Sequence, residues 1–118
     1  MVAVLLVEDD RDIRESLVEV LEAEGHTVTS TGMAQAGLAR LEQPGSPNVV
    51  LLDLRMPGMD GLAFLGALRA RPDRDRFRII LMSADQTVAD LDAGPGVVAV
   101  LEKPFEPSVL LELIERYA

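Results

Sequence analysis

The sequence contains no cysteine and no tryptophan, and it has a single histidine, His26, and a single lysine, Lys103. The absence of cysteine excludes a disulfide scaffold and thiolate metal sites, and it is typical of a cytoplasmic protein. No apolar run approaches the roughly 20 residues of a membrane-spanning helix. The first apolar stretch, Val2–Val7, has no basic segment ahead of it, so we expect neither a signal peptide nor a membrane association.

Basic residues are scarce relative to acidic ones, and the chain has a formal net charge of -9. Contact with nucleic-acid phosphates needs a basic face, so we expect no direct nucleic-acid binding by this domain. A hydrophobic fraction of 48% excludes a disordered acidic segment. The length of 118 residues fits one compact domain, which we place at residues 1–118.

Short apolar runs alternate with segments of helical periodicity along the chain. Strands are predicted at Val2–Val7, His26–Ser30, Val49–Leu52, Phe77–Met82 and Val97–Leu101. Helices are predicted at Arg11–Glu24, at Met33–Gln43, around Leu62, Leu65 and Leu68, at Gln86–Ala93, and after Pro104. This alternation predicts a single doubly wound α/β domain, a (βα)5 fold with a five-stranded parallel sheet.

Polar residues stand directly after four of the predicted strands. Glu8–Asp10 follow the first strand, Asp53 the third, Ser83 the fourth and Lys103 the fifth. Sites in open parallel sheets lie beyond the carboxyl ends of the strands. If these four strands are neighbours, their polar residues converge on one edge of the sheet.

The clustered carboxylates predict a site for a hard cation, because their mutual repulsion would otherwise raise their pKa values. Oxygen ligands without histidine or cysteine favour magnesium, which binds through one or two carboxylates, phosphate oxygens and water. A carboxylate beside magnesium and an ammonium group is suited to attack on phosphorus, which gives an aspartyl phosphate. Magnesium and Lys103 would neutralise charge on the transferring phosphoryl group, and Ser83 would donate a hydrogen bond to it.

Four segments of the sequence together resemble the receiver domains of two-component response regulators. The resemblance covers essentially the whole chain and rests on segments 4–10, 51–61, 81–84 and 103–105, which read VLLVEDD, LLDLRMPGMDG, LMSA and KPF. Each segment is only moderately specific, but all four in this order and at this spacing are highly specific.

The resemblance implies a role for each acidic residue. Asp53 is similar to the phosphoacceptor of the family. Glu8 and Asp9 are similar to its acidic pair, with Asp9 the closer magnesium ligand and Glu8 acting through water. The backbone carbonyl of Arg55 would complete the protein's share of the magnesium shell.

The resemblance also implies the remaining partners and the topology. Ser83 matches the switch hydroxyl and Lys103 the invariant lysine of the family, whose bond to Pro104 is expected to be cis. The strand order is expected to be 2-1-3-4-5. The phosphoryl group would come from a histidine kinase or phosphotransfer protein, and a conformational switch would act on an output partner or domain. Such a domain phosphorylates and dephosphorylates itself and is not otherwise an enzyme.

Two departures from the family pattern affect the predicted switch. Val100 stands where the family has a mobile tyrosine or phenylalanine, and a valine cannot swing between buried and exposed positions. Gly94–Gly96, which read Gly-Pro-Gly, are expected to shorten or distort the helix before them. We therefore expect either a weak allosteric change or a different output surface.

Two other functions remain alternatives at this point. The first is a receiver fold used as an interaction or dimerisation module with little use of phosphorylation. The second is a phosphatase with an aspartyl nucleophile, which usually needs a second acid where this chain has Arg55. The oligomeric state is expected to be a monomer or a phosphorylation-dependent homodimer.

Three further residues are given structural roles. Asp10 is expected to cap the first helix and Phe105 to pack under the last one. His26 is expected to lie on the surface without a catalytic role, because it is a lone histidine far from the acidic residues.

Overall fold

The computed structural model describes residues 2–54, 61–83 and 96–117. The predicted carbonyl ligand at Arg55 and the predicted helix Gln86–Ala93 lie outside the described residues. The Gly94-Pro95 part of the expected helix-distorting turn lies outside them as well.

Five parallel strands form one sheet in the order β2-β1-β3-β4-β5, as predicted. The strands are β1 Ala3–Val7, β2 Thr27–Thr31, β3 Val49–Asp53, β4 Arg78–Ser83 and β5 Val97–Glu102. Asp53 and Ser83 are the last residues of their strands and not the first residues after them. Their backbones continue the pairing, with Asp53 opposite Met82 and Ser83 opposite Glu102.

Four α-helices connect or follow the strands in the described part of the chain, together with one 3-10 turn. They are α1 Arg11–Ala23, α2 Ala34–Leu41, α3 Gly61–Arg69 and α4 Pro107–Tyr117, and the 3-10 turn is Arg74–Arg76. Asp10 caps α1 as predicted, since its side chain accepts hydrogen bonds from the backbone N–H groups of Asp12 and Ile13. None of the described helices is long and apolar enough to cross a membrane.

Alternating strand residues build one apolar layer on each face of the sheet. On one face Leu5, Val7 and Leu52 pack with residues of α2 and α3, including Phe64, which is fully buried. Side chains of α1 and α4 cover the opposite face. The core members there include Val4, Leu6, Leu17, Leu21, Leu51, Leu110 and Ile114. Each fully buried leucine contributes roughly 1.5–3 kcal/mol to stability, so the two layers fix the sheet that positions the site.

Ile13 in the first turn of α1 is 36% exposed and borders an open groove that Phe105 also lines. One expectation about burial is wrong. His26 was expected on the surface but is only 7% exposed. Its Nδ1 accepts a hydrogen bond from the N–H of Val2 at 3.1 Å, and its own backbone N–H bonds to the carbonyl of Leu21.

Candidate functional site

The carboxyl ends of β1, β3, β4 and β5 meet at one edge of the sheet, because these strands are neighbours in that order. Glu8 follows β1, Asp53 ends β3, Ser83 ends β4, and Lys103 follows β5. The sheet order thus brings together side chains that are up to 95 positions apart in the sequence.

Three carboxylates form the acidic part of this edge. One ligand oxygen from each of Glu8, Asp9 and Asp53 lies within 4.8 Å of the others. Glu8 is 1% exposed and Asp53 is 5% exposed, whereas Asp9 faces solvent. The cluster therefore has two buried members and one that reaches the solvent side.

Lys103 supplies the positive charge of the site. Its Nζ donates a hydrogen bond to Oε2 of Glu8 at 2.6 Å and another to Oδ2 of Asp53 at 3.3 Å. These contacts are also ion pairs between groups that are mostly shielded from water, so they are stronger than surface pairs. Lys103 thus bridges the two buried carboxylates.

The pKa of Glu8 is raised to about 7, mainly because the carboxyl group is buried; the hydrogen bond from Lys103 opposes this rise and the nearby Asp53 adds to it. Burial also acts to lower the pKa of Lys103, but the hydrogen bond and the charges of Glu8 and Asp53 outweigh it and leave that pKa raised. The ammonium group therefore stays charged at neutral pH, while Glu8 binds a proton readily whenever no further cation is present.

Backbone hydrogen bonds hold the loops that carry these groups. The N–H of Lys103 donates to the carbonyl of Ser83 at 2.7 Å, and the bond between Lys103 and Pro104 is cis, as predicted. The N–H of Leu54 donates to the carbonyl of Met82 at 3.1 Å. Ser83 is buried at the same edge, 1% exposed, beside the loop of Lys103.

Arg14 supports the acidic cluster from α1, and sequence reasoning did not identify it. Its Nη1 donates to the backbone carbonyl of Glu8 at 2.8 Å, and the N–H of Glu8 donates to the carbonyl of Thr31. Arg14 lies one helical turn after the cap residue Asp10, on a helix that begins just beyond β1. That position is the only signal in the sequence that could have indicated the contact.

The donor set fits a divalent hard cation. All three candidate ligand groups are carboxylates, which suit magnesium, calcium or manganese better than softer metals. When fully ionised, the three carboxylates and the one ammonium group carry a net charge of -2, which one divalent ion balances. Glu8, Asp9 and Asp53 are thus brought together as predicted.

Comparison with known proteins gives a consistent assignment. Residues 4–115 match the family described as the response regulator receiver domain. The chain is 39% identical over 119 residues to the response regulator protein FleR of Pseudomonas aeruginosa, covering 98% of this chain but 24% of FleR. It is 34% identical to an uncharacterised 14.6 kDa protein of Leptolyngbya boryana and covers 88% of that protein. The chain thus spans about a quarter of FleR and most of the shorter relative.

Solved structures share the fold over nearly the full length. The chemotaxis protein CheY4 of Vibrio cholerae is 27% identical with a TM-score of 0.88, and the match covers 100% of this chain and 99% of CheY4. The response regulator TrrA of Thermotoga maritima, solved in complex with Mg²⁺ and BeF, is 28% identical with a TM-score of 0.86 and 98% coverage of both chains. The family match, the identities above 30% and the shared strand order agree, and the chain belongs to the response regulator receiver domain family.

Proposed function

We propose that this domain accepts a phosphoryl group on Asp53 with the help of Mg²⁺, and passes the event on through a conformational change. The observation that carries the proposal is the position of Asp53. Its carboxylate lies within 3.3 Å of the ammonium of Lys103 and within 4.8 Å of carboxylate oxygens of Glu8 and Asp9. A nucleophile, a fixed positive charge and a cation site therefore share one buried edge of the sheet.

The proposed reaction is a transfer between two protein side chains. A carboxylate oxygen of Asp53 attacks the phosphorus of a phosphohistidine, a phosphorus–oxygen bond forms, and the phosphorus–nitrogen bond breaks. The histidine ring of the donor keeps the electron pair and takes up a proton. Hydrolysis then restores Asp53: water attacks phosphorus, the bond between phosphorus and the Asp53 oxygen breaks, and inorganic phosphate is released beside a free carboxylate.

The side chains around Asp53 would stabilise the charge that develops on the phosphoryl oxygens. Lys103 is held by Glu8 at a distance from which its ammonium also reaches Asp53, so it is positioned before the reaction. Mg²⁺, when bound by Glu8, Asp9 and Asp53, supplies charge neutralisation for the phosphoryl group. The Ser83 hydroxyl, buried at the end of β4, would donate a hydrogen bond to a phosphoryl oxygen.

The partners in this proposal follow from the chemistry and the family. The donor would be a histidine kinase or phosphotransfer protein, and the site would act only on its own Asp53 without turning over a separate substrate. Some relatives are much longer proteins: this chain covers only 24% of the transcriptional regulator NtrC of Salmonella typhimurium. The output partner or domain is therefore proposed only as a class, and the location is proposed to be the cytoplasm.

Val100 favours a second candidate function, an interaction or dimerisation module with little use of phosphorylation. Val100 lies in β5 opposite Leu81 and packs against the core cluster that contains Leu81. A short β-branched side chain in this position has no alternative exposed rotamer that would report on Asp53. If this candidate holds, the acidic site would still bind Mg²⁺, but phosphorylation would not change partner binding.

Intact mass tests the proposed function. The native protein is incubated with a small acyl phosphate, with and without Mg²⁺, beside Asp53→Ala and the control Asp75→Ala, which removes an exposed acid of the 3-10 turn. We expect one phosphoryl adduct in the native protein and the control, dependent on Mg²⁺, and none in Asp53→Ala. A folded native protein that binds Mg²⁺ but forms no adduct would support the module.

A further inference from the structure

Positive charge is concentrated in one short segment at the edge of the sheet opposite the acidic site. Residues 69–78 contain five of the ten arginines and two aspartates, a net charge of +3 in a chain of net charge -9. The segment comprises the end of α3, the 3-10 turn and the first residue of β4. It lies at the amino ends of β4 and β5, whereas Asp53 and Lys103 lie at the carboxyl ends.

Two of the five arginines are already neutralised or stacked. Nε of Arg71 pairs with Oδ1 of Asp73 at 2.9 Å, and Nε of Arg76 pairs with Oδ2 of Asp73 at 3.4 Å. Arg76 also lies over the ring of Phe77, with 4.7 Å between its guanidinium carbon and the ring centroid. Asp73 and Phe77 thus hold these two side chains against the 3-10 turn, and the single carboxylate balances one of their two positive charges.

Arg74 and Arg78 line a cavity of about 250 Å³ together with Asp75, and Arg69 also contributes to its lining. Nη1 of Arg78 donates to the backbone carbonyls of Asp75 and Phe77, which orients its guanidinium without neutralising its charge. Among the described residues, no ion pair involves Arg74, Arg78 or Asp75.

Apolar side chains from the sheet and α3 form the rest of this cavity. Leu68, Ile79 and Val97 contribute to its lining, and Leu68 and Ile79 belong to the buried core. A cavity with arginines and apolar side chains in its lining has the character of a small-ligand site. Guanidinium groups match the geometry of phosphate and carboxylate oxygens.

We propose that this cavity binds a phosphate monoester that carries a small apolar or aromatic group. Without counting Arg69, the charges of Arg74, Arg78 and Asp75 leave the cavity with a net charge of +1, which favours an anion such as a phosphate monoester. Arg74 and Arg78 contact the phosphate oxygens, and the apolar group rests against Ile79 and Val97. The site is separate from Asp53 and does not depend on phosphorylation there.

Calorimetric titration with phenyl phosphate tests the site. The titration uses the whole chain with Asp53→Ala and with EDTA, so that the acidic edge does not hold the probe through a metal. We expect saturable binding, at least tenfold tighter than that of inorganic phosphate. The double variant Arg74→Gln/Arg78→Gln should bind at least tenfold more weakly.

A matched control keeps the number of charges constant. Arg11→Gln/Arg116→Gln removes two arginines that are exposed and pair with glutamates on their own helices. In the Asp53→Ala background, this control should bind phenyl phosphate as tightly as the protein with Asp53→Ala alone. Methyl NMR signals of Ile79 and Val97 should shift on titration, and circular dichroism should show that every variant is folded. Equal loss of affinity in the control, equal affinity for inorganic phosphate, or unshifted methyl signals would overturn the proposal.

Discussion

Two individual residues, Lys103 and Glu8, determine the electrostatics of the site. Nζ of Lys103 lies 2.6 Å from Oε2 of Glu8, and Glu8 is 1% exposed. Because burial removes water from both groups, each charge is stabilised mainly by the other. Asp53 adds a second buried carboxylate within 3.3 Å of the same ammonium. One lysine thus compensates two acids, and the remaining negative charge is the basis of the proposed cation site.

Replacing Lys103 by methionine should destabilise the metal-free protein. Glu8 and Asp53 lose the ion pairs that they form with Lys103, and breaking a buried pair costs about 3–5 kcal/mol when nothing else compensates. Proton uptake by Glu8 should reduce this loss. Urea denaturation in EDTA measures it, and added Mg²⁺ should restore part of the stability.

The control for this change is Arg11→Met, which breaks an exposed pair with Glu15. Exposed pairs contribute about 0–1 kcal/mol, so the control should stay close to the native protein. An equally small effect of Lys103→Met would contradict the account of a buried charge network.

The raised pKa of Glu8 predicts a pH dependence of stability. In the metal-free folded protein the pKa of Glu8 is about 7, against a usual 4.5. As the pH rises, the unfolded state therefore loses this proton before the folded state does. The contribution of Glu8 to the free energy of unfolding should therefore be largest below pH 4.5, and it should be lost as the pH rises to about 7.

Glu8→Gln isolates this contribution, because glutamine does not titrate. The difference in unfolding free energy between native protein and Glu8→Gln, measured in EDTA from pH 4 to pH 8, should fall with rising pH. Mg²⁺ should flatten the native curve by favouring the ionised carboxylate. A difference that does not change with pH would show that Glu8 has an ordinary pKa in the folded protein.

The junction between β3 and α3 controls the site at the scale of elements. Gly61 begins α3, and its N–H donates to the carbonyl of Leu54, just after Asp53. A methyl group on Gly61 would lie 2.7 Å from the carbonyl oxygen of Asp53 and would clash with the Cα of Leu54. The start of the helix thus packs directly on the backbone that carries the proposed phosphoacceptor.

Gly61→Ala should destabilise the domain and slow phosphorylation of Asp53. The clash is with backbone, which cannot move aside as a side chain would, so we expect a loss of about 1–3 kcal/mol. Gly66→Ala is the matched control on the same helix, since a methyl group there meets nothing within 4 Å. It should stabilise the helix by up to about 1 kcal/mol. A lower unfolding free energy for Gly61→Ala and a higher one for Gly66→Ala, both measured by urea denaturation, would support the account. Equal changes in the two variants would contradict it.

The elements themselves were largely predictable, because four of the five strands contain a run of apolar residues that the sequence alone reports. The exception is β2, which reads TVTST and has a single apolar residue. The ends of β3 and β4 were missed by one residue, since the polar side chains of Asp53 and Ser83 concealed that their backbones continue the sheet. The burial of His26 was missed because it depends on a bond to Val2, 24 positions away.

The site could be predicted only as a set of residues. Their convergence follows from the strand order, which the sequence supported through family resemblance. The bridging position of Lys103 and the raised pKa of Glu8 depend on tertiary distances across 95 positions, and no local pattern encodes those. The roles of Ser83 and of the Arg55 carbonyl stay predictions.

In the described part of the molecule, a carboxylate cluster and an arginine-rich cavity lie at opposite ends of the strands. Glu8, Asp9 and Asp53 lie at the carboxyl edge, and Arg74 and Arg78 lie at the amino edge. Charges of opposite sign at the two edges limit mutual repulsion in a chain of net charge -9. A cation bound at the carboxyl edge should therefore stabilise the fold as a whole.

Mg²⁺ should raise the melting temperature by binding the folded state alone. At a concentration 100 times the dissociation constant, the gain is about 2.7 kcal/mol, and a domain of this size should melt several degrees higher. Asp53→Ala should lose most of the shift, while Asp75→Ala, which changes an acid at the opposite edge, should keep it. The same shift in all three proteins would mean that Mg²⁺ acts elsewhere.

Identification of the modified residue by mass spectrometry tests whether Asp53 carries the phosphoryl group. The protein is phosphorylated by a small acyl phosphate in Mg²⁺, reduced with borohydride, which converts an aspartyl phosphate to homoserine, and digested for peptide mass spectrometry. We predict homoserine at position 53 in the native protein. Modification at any other acidic residue, or no conversion in a protein that has taken up phosphate, would contradict the account.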